Sequence, residues 1–222
     1  MLAVHALARR AAAEGTRVLL GGEGADELFL GYRRHRAAQY LSWLPRWPGG
    51  NNDGGLSMST FARMRRAMRA RGGYAELLEV APADFRRVVF REPYADGGLP
   101  AVAAADELRR AQRIDRGYYL RFDLLPKLDT ALMAAGIEGR CPFLDPAVVA
   151  TAEALAQRPR AALGKRALRR AFAASLPRAV FATRKRGFGI PLDRWLREDD
   201  YLADILHDRS TRERPFLRAG GL

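Results

Sequence analysis

Val18 to Tyr32 reads Val-Leu-Leu-Gly-Gly-Glu-Gly-Ala-Asp-Glu-Leu-Phe-Leu-Gly-Tyr, and the reading of this stretch decides the fold. Arg17 to Leu20 is short, apolar and suited to a strand. It follows a helical pattern over Leu2–Ala13 that Gly15 closes. Helix, strand, glycine-rich turn and helix in that order make one unit of a parallel α/β sheet. Ligands of such sheets bind beyond the carboxyl ends of the strands, where Gly21, Gly22 and Gly24 fall. Lacking a Cβ, these residues let backbone N–H groups approach a nucleotide.

Acids are threaded through the glycines. Glu23 lies inside the turn, and Asp26 and Glu27 open the next helix. Carboxylates beside a phosphate repel it unless a cation intervenes, so a Mg²⁺ held partly by Asp26 makes chemical sense. The competing reading has Asp26 and Glu27 favouring a helix N-terminus through its macrodipole.

Composition narrows the class. A chain of 222 residues, 48% hydrophobic and 28% charged, can bury a core of its own, and one domain over 1–222 is the simplest count. No apolar run approaches the ~20 residues that span a bilayer, and no signal-peptide pattern opens the chain. The single cysteine, Cys141, excludes an internal disulfide and fits a reducing compartment, so the expected location is cytoplasmic, with no membrane partner. The net charge of +13 suits anionic ligands. Its arginines are spread over most of the helical segments, lysine occurs only at Lys127, Lys165 and Lys185, and no nucleic-acid-binding motif accompanies the charge. Nucleic acid is therefore not expected as a partner.

Further along, Arg33 to Leu44 reads as a helix with Ala37, Tyr40, Leu41 and Leu44 on one side, stopped by Pro45. Residues 51–55 read as a loop, and helical patterns follow over Thr60–Ala70, Tyr74–Val80 and Ala83–Phe90. A longer helix is expected from about Pro100 to Tyr119, with Leu108, Ala111 and Ile114 at helical spacing. Pro126 then opens a helix carrying Lys127 and Asp129, which Gly136 closes. Glu138 and Arg140 alternate along an extended piece and face the same side, as an ion pair or as substrate contacts. Asp145-Pro146 caps a helix over Ala147–Ala156. Lys165 to Arg169 begins a helix that ends near Leu176-Pro177. Arg184-Lys-Arg-Gly-Phe-Gly-Ile-Pro191, ahead of Trp195, makes a cationic loop suited to covering phosphates.

Three of these stretches, in this order, resemble one family. Gly22 to Phe29 with Gly31-Tyr32 resembles the Ser-Gly-Glu-Gly-(Ala/Ser/Gly)-Asp-Glu-(Leu/Val)-Phe-x-Gly-Tyr signature of the asparagine synthetase family, with Gly21 where the family usually has Ser. Leu125 to Asp145 is similar to its Leu-x-Lys-x-Asp-x-x-x-Met-Ala-x-Gly-(Leu/Val)-Glu-x-Arg-x-Pro-Phe-Leu-Asp block. Lys165 to Trp195 is similar to its Lys-x-Leu-Leu-Arg…Leu-Pro…Lys-x-Gly-Phe-Gly-x-Pro-x-x-x-Trp tail.

The resemblance implies an α/β fold, predominantly helical. The chain would be the later part of an adenine-nucleotide alpha-hydrolase-like (PP-loop ATPase) parallel-sheet domain, contributing one or two strands. It implies activation of an aspartate-like carboxylate by ATP and Mg²⁺, then attack by ammonia drawn from glutamine, giving amide, AMP and pyrophosphate. Carried over to this sequence, Glu23 and Lys185 are the catalytic residues. Gly21, Gly22, Glu23 and Gly24 bind ATP, Asp26 is the metal ligand, and Glu138 and Arg140 are substrate or structural residues. The family's N-terminal glutaminase domain and its Ser-Gly-Gly-x-Asp-Ser pyrophosphate loop have no counterpart in these 222 residues. Those segments are expected partners, an exposed sheet edge is expected where they would pair, and a homodimer stays open. β-Lactam formation or another amidotransfer by the same adenylating chemistry, and a non-catalytic interaction module, are the alternatives.

Overall fold

A computed structural model of the chain describes residues 1–41, 67, 73–78, 83–92, 99, 102–156, 158, 163–182 and 191–218. The loop at 51–55, most of the helix expected over 60–70, and the basic loop at 184–190 with Lys185 lie outside them. The chain divides into two compact units, Met1–Arg46 with Ala101–Arg186, and Trp47–Pro100 with Gly187–Leu222.

The first unit carries the sheet. Helix α1 (Leu2–Ala13) ends where Gly15 takes a φ of +81°, and the Gly15 and Thr16 N–H groups bond back to Ala12 and Ala11 carbonyls. Strand β1 (Val18–Leu20) then runs parallel to β2 (Glu138–Arg140) in the register Val18–Glu138, Leu19–Gly139 and Leu20–Arg140. Among the described residues these two strands pair only with each other. The fold is thus predominantly helical α/β with a two-stranded parallel sheet, as the sequence predicts.

Helices α2 (Ala25–Leu28) and α3 (Arg33–Leu41) follow the turn after β1. Helix α4 (Glu107–Ile114) is capped by Asp106, whose side chain accepts from the Arg109 N–H at 2.8 Å, so it starts several residues later than the expected Pro100. It passes straight into a ten-residue π-helix (Asp115–Leu124) and on into α5 (Leu125–Met133). Pro126 therefore does not open a separate helix. It sits in the first turn of α5, where its missing N–H is tolerated because the preceding turn already follows another hydrogen-bond register. Gly136, at φ +68°, does close α5. Helix α6 (Pro146–Ala156) starts as expected, with Asp145 Oδ1 accepting from the Ala147 N–H at 2.8 Å. Helices α7 (Arg166–Ala171) and α8 (Arg178–Ala182) complete the unit.

Two apolar clusters hold these elements. Ala8, Leu132 and Ile137, with Val4, Leu19 and Leu128 against them, pack α1, β1 and α5 together. Leu28, Phe29 and Ala152, with Phe143, Leu144, Val148 and Leu168, fasten α2 to α6 and α7. Burying the large members, Leu28, Phe29, Leu132 and Ile137, supplies about 1.5–3 kcal/mol each. The sheet is less covered, because Leu20 and all of β2 are exposed. Parallel strands are ordinarily covered on both faces, so this one presents an open face.

The second unit is described as short helices, Tyr74–Leu78, Ala83–Val89, Leu192–Glu198, Asp200–His207 and Arg209–Arg212. Phe90 and Leu217 form an antiparallel bridge, reinforced where the Arg218 N–H reaches the Val89 carbonyl at 2.9 Å.

Candidate functional site

The carboxyl ends of β1 and β2 lie side by side, since Leu20 pairs with Arg140 and the Gly21 N–H donates to the Arg140 carbonyl at 2.7 Å. Beyond them the chain turns through Gly21–Gly24. Of the three glycines only Gly24 has a left-handed backbone, at φ +91°, and a Cβ there would also run into the Leu144 side chain. Gly21 serves differently. A Cβ on it would collide with Glu23 Oε2, so the missing side chain is what lets Glu23 fold back over the strand end. The Ser usual in the family would occupy that space.

Glu23 Oε2 is buried and has no hydrogen-bond partner among the described residues. Left unpaired, such an oxygen costs on the order of 1–3 kcal/mol, so a ligand, a proton or a water that pairs with it is favoured. Cys141, next after β2, lies within the field of Glu23. Burial first, and then the Glu23 charge, push its thiol up, so it remains the protonated SH rather than a nucleophilic thiolate.

On the other arm of the turn, Asp26 meets Lys165. Its Oδ1 lies 3.1 Å from Lys165 Nζ, with the two side chains 16% and 30% exposed. Sequence reading takes Lys165 as the start of a helix. The structure places it just before α7 in a left-handed conformation, φ +61°. Leu30 is left-handed too, at φ +51°. A left-handed backbone costs a non-glycine residue roughly 1–2 kcal/mol, which surrounding bonds must offset. Here the Lys165 N–H donates to the Phe29 carbonyl at 3.0 Å and the Gly164 N–H to the Leu30 carbonyl at 2.8 Å. The two bends are thereby fastened to each other. Gly31 completes the fit, because a Cβ there would press on both Asp26 Oδ1 and Lys165 Cε.

Glu27 is not a ligand in waiting. It is 1% exposed, and the Tyr32 hydroxyl donates to its Oε1. Burial, then the hydrogen bond and charge of Glu27, push that phenol far above its ordinary range. Arg34 stacks over the Tyr32 ring, 3.7 Å from its centroid, and reaches Asp115 at 3.0 Å. His35 Nδ1 accepts the Tyr32 N–H, which puts the imidazole proton on Nε2, 2.7 Å from Asp115 Oδ2. Gln112 donates to the Leu28 carbonyl at 2.6 Å. The motif's last residues thus grip α4 and the π-helix through buried polar groups. On α3 it is His35 and Ala38 that are buried, while Tyr40, on the side with Ala37, is 56% exposed; the Leu41 side chain and Leu44 lie outside the described residues.

Glu138 and Arg140 pair with each other at 2.9 Å on an exposed surface, and that contact pushes the Arg140 guanidinium up. Lys185 lies outside the described residues. A cavity of about 400 Å³ lined by His5, Arg9, Ala12, Ala134 and Ala135 shares no residue with the turn. Lys165 is the site residue the sequence did not single out as such. The signal for it was Gly164 ahead of it, a residue suited to a left-handed bend, where a helix start was expected.

The family model described as asparagine synthase matches residues 2–222. A protein of Mycobacterium bovis, named provisionally as a glutamine-hydrolysing asparagine synthetase, is 34% identical over 213 residues, covering 87% of this chain and 32% of its own. Its namesake in Mycobacterium tuberculosis matches equally. Asparagine synthetase (glutamine-hydrolysing) 1 of Bacillus subtilis is 28% identical over 221 residues, covering 87% of this chain and 34% of its own. The chain therefore spans about a third of the length of the curated relatives it matches. No solved structure matches it.

Proposed function

The chain belongs to the asparagine synthase family, and from that premise we propose that it forms the adenylating, amide-forming end of a synthetase site. Aspartate is its carboxylate substrate and ammonia from glutamine its nitrogen donor. A carboxylate oxygen of aspartate attacks the α-phosphorus of ATP and pyrophosphate leaves. Ammonia then attacks the acyl carbon, the carbon–oxygen bond to AMP breaks, and one ammonia proton must be taken up. Glu23 takes that proton. The observation carrying this reading is its buried Oε2 without a partner at the carboxyl ends of the parallel strands. Backbone N–H groups of the turn Gly21–Gly24 lie along the nucleotide, and Lys185 stabilises phosphate charge.

Mg²⁺ takes one or two protein carboxylates and completes its shell with phosphate and water. Asp26 offers a hard oxygen of that kind. Among the described residues no group of three His, Cys, Asp or Glu side chains could hold a metal alone, so the donor set suits a metal shared with ATP. Bound there, Mg²⁺ would neutralise phosphate charge. The reading further has the chain inactive by itself, because its sequence contains no Ser-Gly-Gly-x-Asp-Ser loop to cradle the outer phosphates.

The test uses the chain together with a polypeptide supplying the rest of the synthetase domain. Glu23→Gln should slow ammonia-dependent asparagine formation by about 10²–10⁴-fold, while aspartate-dependent exchange of pyrophosphate into ATP persists. Equal loss of both, or of neither, overturns the role given to Glu23. Robust asparagine formation by the 222-residue chain alone overturns its dependence on a partner segment.

A further inference from the structure

We infer that Lys165 is a built-in counter-cation for Asp26, seated where a divalent cation would bind and displaced when one does. The inference rests on the proposed role of Asp26 as a metal ligand and says what that role must overcome. Lys165 Nζ already stands 3.1 Å from Asp26 Oδ1, and both side chains are largely withdrawn from water. An ammonium and a divalent cation on the same carboxylate oxygen repel each other, strongly so in a partly buried setting. Both cannot stay.

The way Lys165 is held makes exchange feasible. Its main chain is fixed by the Phe29 carbonyl, and its neighbour Gly164 by that of Leu30. The ammonium is fixed separately, by Asp26. The side chain can therefore swing away while the two backbone bonds and the left-handed bend stay intact. Gly31 leaves open the space in which Lys165 Cε and the carboxylate meet. Lys165 is thus a positioning residue: without a metal it keeps Asp26 neutralised and aimed, and it makes the bare chain a poor metal binder.

Mn²⁺ titration of the 222-residue chain in the presence of ATP and of the polypeptide supplying the rest of the synthetase domain, followed by the electron-spin-resonance spectrum of the protein-bound ion, tests this. Lys165→Asn removes the charge and keeps a residue that tolerates the left-handed backbone. It should bind Mn²⁺ about tenfold more tightly than wild type, Lys165→Arg should bind like wild type, and Asp26→Asn should cancel the gain. A structural ion pair alone would shift the melting temperature and leave Mn²⁺ affinity where it was. If Asp26→Asn weakens wild-type binding but Lys165→Asn brings no gain, the competition is wrong and the metal role of Asp26 stands. If Asp26→Asn changes nothing in either background, both fall.

A second measurement needs no variant. The chain has only three lysines, Lys127, Lys165 and Lys185. In the same assembly with ATP present, adding saturating Mg²⁺ should speed modification of Lys165 by an amine reagent severalfold, read by peptide mass spectrometry against Lys127, whose partner is Asp123. Unchanged labelling of Lys165 overturns the displacement.

Discussion

Two carboxylate–cation pairs stand near the ends of the same two strands, and they are built in opposite ways. Glu138 and Arg140 are two residues apart on one strand, their side chains 59% and 63% exposed, and the strand alternation alone brings them together. Asp26 and Lys165 come from distant parts of the chain. They are about a sixth and a third exposed, and they meet only because two left-handed residues are bonded back to back and Gly31 has no side chain. The first pair is what any exposed strand can form, and such pairs contribute about 0–1 kcal/mol. The second requires strain, a close approach and long-range backbone bonds. That difference marks Asp26, rather than Glu138, as the carboxylate the fold is arranged to hold.

The contrast can be broken most forcefully through the network behind Asp26. Tyr32→Phe leaves the buried Glu27 carboxylate without its donor, and should destabilise the fold by about 2–3 kcal/mol in urea unfolding. The same residue predicts an alkaline effect. Its folded-state pKa lies above the ordinary 10.0, so its contribution is whole below pH 10 and is lost as pH rises beyond it. The wild-type melting temperature should fall on that limb more steeply than that of Tyr32→Phe. Parallel limbs would place the titration elsewhere.

Gly31→Ala comes next. The added Cβ meets the far ends of two side chains, so the fold survives at a cost of about 1–2 kcal/mol while Asp26 and Lys165 are pushed apart. A double-mutant cycle sharpens the comparison: coupling between Asp26 and Lys165 should be about 1 kcal/mol in wild type and near zero in the Gly31→Ala background. Coupling that persists there would mean the glycine is not what admits the pair. The smallest effect belongs to the exposed pair. Arg140→Ala should change unfolding free energy by less than about 0.5 kcal/mol, and a larger loss would show that β2 depends on that ion pair.

Much of the local structure was legible because local chemistry causes it. Gly15 and Gly136 end helices by left-handed turns, Asp145-Pro146 starts one, and β1 with its glycine turn lies where a short apolar run between helical patterns puts it. Two failures have one physical source. Helical spacing puts Ala37, Tyr40, Leu41 and Leu44 on one side of α3, yet among its described side chains His35 and Ala38 are the buried ones, because Asp115 accepts the imidazole N–H that would otherwise be costly to bury. Hydrophobic periodicity cannot detect a buried face made of polar residues satisfied by a distant segment. Pro126 likewise read as a boundary, since nothing local announces that the preceding ten residues adopt a π-helix.

By itself, then, the sequence determined the family, the parallel α/β character, and the placement of Glu23 and Asp26 beyond a strand end. Spacing, turn residues and charge order are properties of neighbouring residues. Only the tertiary structure decided that Glu27 belongs to Tyr32, that Gly21 makes room for Glu23, and that Lys165 closes on Asp26. Each of these contacts depends on how backbone bends orient side chains toward one another in space. The last also joins segments far apart in the chain, so its contact is set by packing and by long-range hydrogen bonds that no local pattern encodes.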